Sequence, residues 1–332
     1  MPSLPTRRLR RSRRGGADGT GQAEQPDVTS AKTIQAEGLR WIHIERPRPV
    51  DRAWLEEHFD FHPLDYEDVL SRNQRPKIDE YDDYLFIVLH FPRYDKKVGR
   101  LNAAELDLFV GPDFLITLPN EPLKSVDYLF ERCHDIPAFR EQYFSQGPGF
   151  LLYKIIDDSV DACFPMLGKM GNKLERLEDD VFQERADEVV RDLFNVKQEI
   201  ITFRRIIRPQ RAVLRDLERT KQRFMRAELE VYFDNINDAS ERIWDVLENY
   251  KEVVEALEGT NEALISHRVN DTVRVLTAIS VVVLPLTFIA SLWGMNVKVP
   301  GEGQFPPFFI LLGVCLVLLV LMVVFFRRRG WL

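Results

Sequence analysis

The sequence predicts a membrane protein of α+β class: an N-terminal cytosolic α/β domain, a long helical stalk and two C-terminal transmembrane helices. Three observations carry that expectation. Residues 275–293 and 308–326 are two runs of 19 without a charge, both near the C-terminal end. A helical pattern with few breakers leads into the first of them from about residue 149. Short apolar runs separated by turn residues fill the segment before that. The expected divisions are an Arg-rich tail over 1–35, the α/β domain over 36–148, the stalk over 149–270, a transmembrane domain over 271–326 and a basic tail over 327–332.

Composition narrows the field. The chain has 332 residues, of which 45% are hydrophobic and 29% charged, so a wholly disordered or collagen-like chain is excluded. Cys133, Cys163 and Cys315 are too scattered for a disulfide framework, and no CxxC pair exists. A reducing compartment is expected for the soluble part. Six of the 45 basic residues are arginines between positions 7 and 14, and three more are Arg327, Arg328 and Arg329. The body between them has 36 basic against 52 acidic groups, a net charge of −16. An acidic body suits cation handling and gives no basic face for nucleic acid.

Residues 1–35 have little apolar content and read as a disordered tail. In the α/β domain, 51–59 and 63–69 look helical, and 85–91 is an apolar run suited to a buried strand. Residues 105–110, Gly111-Pro112-Asp113 and 114–118 read as a hairpin. His58 and His62 stand four apart, a metal-ligand spacing, but no third ligand follows, so packing roles are expected. In the stalk, Met170, Leu174, Leu177 and Val181 fall on one helix face. Pro209 is expected to end that segment after Ile207, with a second helix from about Arg211 to the membrane. A helix over 228–293 would be about 100 Å long and would need neighbours, most simply copies of itself.

Each uncharged run spans about 28 Å as a helix, close to the hydrocarbon thickness of a bilayer. A soluble core helix is rarely apolar on all sides over such a length. Arg268 and Arg274 precede the first span and Arg327–Arg329 follow the second, whereas the loop between has Lys298 and Glu302. The positive-inside rule then places both termini in the cytoplasm of a multi-pass protein of the cell (inner) membrane, with Trp331 as an interfacial anchor.

The two spans differ in kind. The second is apolar on every face, as lipid contact requires. The first carries Thr277, Ser280, Thr287 and Ser291 on one stripe, with Leu284 in its middle. Asn270 lies one heptad before Thr277, and Gly294 three residues after Ser291. Such a stripe serves either close helix packing or the wall of a water-filled path. A path built from one such span per chain requires a ring of copies. No ionisable residue lies in either span, which argues against a proton relay and suits Mg²⁺, an ion that dehydrates reluctantly. Leu284, repeated around a ring, would gate by dewetting, and Pro285 would soften the helix beside it. No GxxxxGK[ST] loop exists, so ATP does not drive the chain, and no catalytic constellation points to an enzyme. A membrane-tethered scaffold or sensor is the alternative of another class.

The first span closes in Trp293-Gly294-Met295-Asn296. A Gly-Met-Asn triplet at that position resembles the signature of the CorA magnesium and cobalt channel family. Residues 285–290 (PLTFIA), 75–84 (RPKIDEYDDY) and the ending Trp331-Leu332 are similar to family segments as well. The resemblance runs from about residue 36 to the end. It implies a homopentameric funnel in the lipid bilayer that admits Mg²⁺, with Co²⁺ and Ni²⁺ as further cargo, under the membrane potential. By the same resemblance Asn296 belongs to a mouth ring, Gly294 and Met295 shape its turn, and Asn270 lines the cytosolic end. Leu276 and Leu284 are constrictions, and Thr277 and Thr287 face the path.

The resemblance also implies regulatory Mg²⁺ held between cytosolic domains. Asp95 matches one ligand. The partner position falls on Asn235, so Asp234 or Asp238 would substitute. Lys298 stands where the family often has an acid. Met295, where a zinc-handling branch has Ile, favours magnesium over the alternative of a zinc or cobalt transporter.

Overall fold

The computed structural model describes residues 28–71, 74–95, 99–182, 186–220, 227–294 and 305–331. Residues 1–27 of the expected tail lie outside them, but its last part is not a disordered tail: Thr29 Oγ1 and Ser30 N donate to Asp51 Oδ1 at 3.0 and 2.7 Å, and a strand begins at Lys32.

Leu85, Phe86, Ile87, Val88 and Leu89 are consecutive in β4 (Leu85–Asp95), and none is exposed. Neighbouring side chains of a strand point to opposite faces, so both faces of this sheet are covered. The sheet has six strands. β1 (Lys32–Ala36), β2 (Leu39–His43), β6 (Phe114–Pro119), β5 (Arg100–Val110), β4 and β3 (Lys77–Glu80) lie in that order. All pairs are antiparallel except β2 with β6. The expected hairpin is β5–β6, closed by Gly111 N–H donating to Phe114 O at 3.0 Å. A Cβ on Gly111 would overlap the Phe114 ring, so only glycine fits there.

One face packs Phe86, Val88, Phe109 and Ile116 against α1 (Pro49–His58) and α2 (Pro63–Leu70), the two expected helices. The other face packs Trp41, Ile87, Leu89, Leu106 and Leu108 against α3 (Lys124–Asp135), α4 (Pro137–Phe144) and α5 (Pro148–Asp161). That second core does not stop at residue 148. It continues through α6 (Phe164–Phe182), α7 (Ala186–Arg219) and α8 (Glu230–Trp293) as far as Leu257. Met170, Leu174, Leu177 and Val181 are all buried in it, as their spacing predicts.

Pro209 does not break the helix. It lies inside α7, which runs on to Arg219. A helix-interior proline costs ~3 kcal/mol. Burial of Phe203, Ile206 and Ile207 before it, and of Val213, Leu214 and Leu217 after it, offsets that cost. Buried Gln210 adds a tie to the sheet by accepting from His90 N at 2.7 Å. The stalk helix therefore starts at Glu230, not near Arg211.

α8 has 64 residues, about 96 Å at 1.5 Å per residue. Its first half packs on α6 and α7. Residues 265–277 are exposed on every side of the helix within this single chain. α9 (Phe305–Arg328) then folds back on the end of α8.

Candidate ion path

Each predicted span is helical, within α8 and α9. The described part of α8 includes a window long and apolar enough to cross a membrane, almost none of it buried. α9 touches α8 through a small cluster of Ala278, Val282 and Phe326, with Met322 and Trp331 against it. Low numbers on one helix meet high numbers on the other, so the pair is antiparallel. Arg274 lies over the Trp331 ring at 6.0 Å, and Phe326 packs on that ring at 5.6 Å. The beginning of the span in α8 and the end of α9 are therefore at one level. The partner of Trp331 is a residue that sequence spacing alone did not indicate.

The hydroxyl stripe lies elsewhere on α8. At roughly 100° per residue, Thr277, Ser280, Leu284, Thr287 and Ser291 centre about 160° away from Ala278 and Val282. Thr277, Ser280, Leu284, Thr287 and Ser291 are all exposed, Leu284 at 68%. The stripe is thus not the face that packs α9. Ala278 and Val282, four apart on the opposite side, were the signal for that contact. Leu276 and Asn270 are exposed too.

Three of the four hydroxyl protons are already committed. Thr277 donates to Val273 O at 2.7 Å, Ser280 to Leu276 O at 2.9 Å and Thr287 to Val283 O at 2.8 Å. Back-bonding of this kind uses the one donor of the group and leaves oxygen lone pairs pointing outward. The stripe consequently presents acceptors. At its far end Gly294 caps α8, donating its N–H to Ala290 O at 3.0 Å. Met295 and Asn296 lie outside the described residues.

The three acidic residues singled out by resemblance do not form a metal centre within one chain. Asp95 ends β4 opposite Arg100 in register. Asp234 and Asp238 stand four apart on α8, beside exposed Asn235, while Phe233 and Ile236 are buried. Among the described residues no group of three or more His, Cys, Asp or Glu side chains can hold a metal ion. His58 stacks on Trp54 at 4.4 Å, and His62 accepts from Leu64 N to cap α2, so both have packing roles. The three cysteines are free; burial pushes the Cys133 thiol up to about 11 and the Cys163 thiol up to about 12.

Two acids are buried in the sheet. Glu105 accepts from Gln74 N at 3.2 Å and lies 3.3 Å from His90 Nε2. Burial, with Glu105 and Asp68 nearby, holds the Asp107 carboxyl well above the usual range, and Lys77 offsets this only in part. Its Oδ1 has no partner among the described residues.

A covered α/β head whose last helix continues unbroken into an apolar antiparallel hairpin defines a membrane protein built around one shared helix. The chain belongs to the CorA-like Mg²⁺ transporter protein family, whose description matches residues 36–328. It is 31% identical over 296 residues to the cobalt/magnesium transport protein CorA of Thermotoga maritima, covering 88% of this chain and 83% of that one. It is 29% identical over 314 residues to the putative metal ion transporter YfjQ of Bacillus subtilis, covering 93% and 92%. The complete structure of the CorA magnesium transporter from Methanocaldococcus jannaschii shares the fold, with a TM-score of 0.79, 21% identity and coverage of 90% and 94%. Membership in a family of transporters leaves the scaffold alternative without support.

Proposed function

We propose that the chain forms a homopentameric channel that admits Mg²⁺ into the cytoplasm through a path lined by the stripe on α8. The observation that carries this reading is the stripe's direction. It faces away from α9, and the hydroxyl protons of Thr277, Ser280 and Thr287 are turned back onto the helix. Water molecules bound to a cation point their hydrogens outward, so a hydrated ion needs acceptors around it. Neutral oxygens provide them without a fixed charge that would trap a divalent ion. Both termini are cytoplasmic in this reading, consistent with Arg274 and Trp331 meeting at one level.

Asn296 adds an amide carbonyl to the mouth, with Gly294 and Met295 forming its turn. Leu284 closes the path by dewetting when five copies converge, with Leu276 as a second constriction. Asp95 of one subunit and Asp234 or Asp238 of the next hold regulatory Mg²⁺. When cytosolic Mg²⁺ falls, the unbridged carboxylates repel and the ring opens.

Reconstitution in liposomes with a Mg²⁺ indicator tests this. Wild type gives potential-dependent influx, Asn296→Ala loses it, and Asp95→Lys weakens inhibition by internal Mg²⁺. No flux in wild type overturns the channel; full flux in Asn296→Ala removes the mouth ring alone.

A further inference from the structure

A groove of about 380 Å³ lies between α7 and α8 on the head, far from the hairpin. Its floor is apolar, from Ile200, Ile201, Pro209 and Val254, with half-buried Trp244 at one side. The Trp244 ring is held by Arg204 at 4.9 Å and Arg211 at 5.0 Å, so its position is fixed. Pockets for small molecules are commonly about 300–1,000 Å³ with mostly apolar walls and a few polar groups.

The charges around the floor do not balance. Lys197 pairs with Glu258 at 2.6 Å and Arg204 with Glu248 at 2.5 Å. Lys251 sits between Glu248 and Glu255 at 3.6 and 3.7 Å. Five cations line the groove against these three carboxylates, an excess of two positive charges. The excess sits on Arg205 and Arg208, both exposed and neither with a carboxylate partner among the described residues. They stand three apart, so their side chains are neighbours on one helix surface. In a chain of net charge −7, two unneutralised guanidiniums beside an apolar floor form a local exception.

We infer that this groove binds a soluble phosphate monoester of nucleotide size, its phosphate on Arg205 and Arg208 and its ring system on the Ile201–Pro209–Val254 floor. A phosphate monoester carries about −1.5 to −2 charge at neutral pH, which matches the excess. Guanidinium forks suit its oxygens. A lipid headgroup is out of reach, because Glu255 is 20 residues before Val275, about 30 Å along α8 from the first span. The missing phosphate loop excludes ATP as fuel and has no bearing on a ligand held in this way.

Adenosine monophosphate, adenosine and inorganic phosphate serve as probes, titrated into the purified full chain in detergent with EDTA. Adenosine monophosphate binds saturably, and each fragment at least ~10-fold more weakly, since ring and phosphate both contribute. The double variant Arg205→Ala, Arg208→Ala loses about 100-fold in affinity with two charge-assisted contacts removed, while Arg176→Ala on α6 binds as wild type. No saturable binding of adenosine monophosphate to wild type overturns the inference, as does equal binding by the double variant. A changed oligomeric state in the double variant also overturns it, because the groove is then a contact between copies.

Discussion

The head and the hairpin bury their leucines by opposite rules. In the head, Leu247 of α8 is fully enclosed by the core that joins sheet and helices. In the hairpin, Leu284 of the same helix is 68% exposed, and the local cluster among the described residues has three buried members. One continuous helix therefore passes from a region that satisfies itself to a region that depends on its surroundings. The head has a closed core of its own, whereas the described part of the hairpin turns most of its apolar side chains outward.

The sharpest way to break this comparison is to shorten both leucines. Leu247→Ala removes buried carbon from a closed core and should cost about 2–5 kcal/mol. Leu284→Ala should stay within about 0.5 kcal/mol of wild type in denaturant unfolding of the detergent-solubilised chain. Its effect belongs instead to transport, as a leak of Mg²⁺ into liposomes. Equal destabilisation by the two substitutions would mean that Leu284 lies in a packed core, and the distinction between the regions would fail.

A second test sharpens the account of the head alone. Asp107 is buried on β5 with its carboxyl held well above the ordinary carboxylate range, chiefly by desolvation. Above the unfolded value the unfolded chain releases this proton while the native chain keeps it. The native state then binds more protons, so stability falls as pH rises until the native group itself ionises. The slope is at most about 1.4 kcal/mol per pH unit from this one group. Asp107→Asn should remove that part of the slope, so the variant gains on wild type as pH rises from about 5 to 7 in paired unfolding curves. Parallel pH profiles for the two proteins would show that the carboxyl is ionised or solvated in the native head.

The same contrast explains what could be read from the sequence. The spans, the α6 face and the β5–β6 turn follow from local pattern: uncharged runs, a 3.6-residue period, and Gly111 before Pro112. Pro209 misleads because its local penalty says nothing of the core on either side of it. Ile207 and Val213 are buried against elements distant in sequence, and no window around residue 209 contains them. The parallel pairing of β2 with β6 is likewise a long-range choice. At the stripe, the spacing of Thr277, Ser280, Thr287 and Ser291 was legible, but its direction was not. That required the opposite face, Ala278 and Val282, to be seen against Phe326. The excess charge on Arg205 and Arg208 was hidden for a similar reason, since it depends on which neighbouring cations already have partners.

The smallest expected effect tests whether the two ends of the hairpin meet. Arg274 over Trp331 is a partly exposed cation–π pair, worth about 0.5–1 kcal/mol. Trp331→Ala also loses the ring contact with Phe326, so its total cost exceeds that of Arg274→Ala. The interaction between the pair is isolated by a double-mutant cycle on thermal unfolding of the full chain in detergent. A coupling of about 0.5–1 kcal/mol is expected, and Trp331→Phe should keep part of it because phenylalanine still offers a π face. Strict additivity of Arg274→Ala and Trp331→Ala would separate the two groups. It would remove the contact that brings the start of the first span and the end of α9 to one level, and with it the structural support for placing both ends of the hairpin on one side of the membrane.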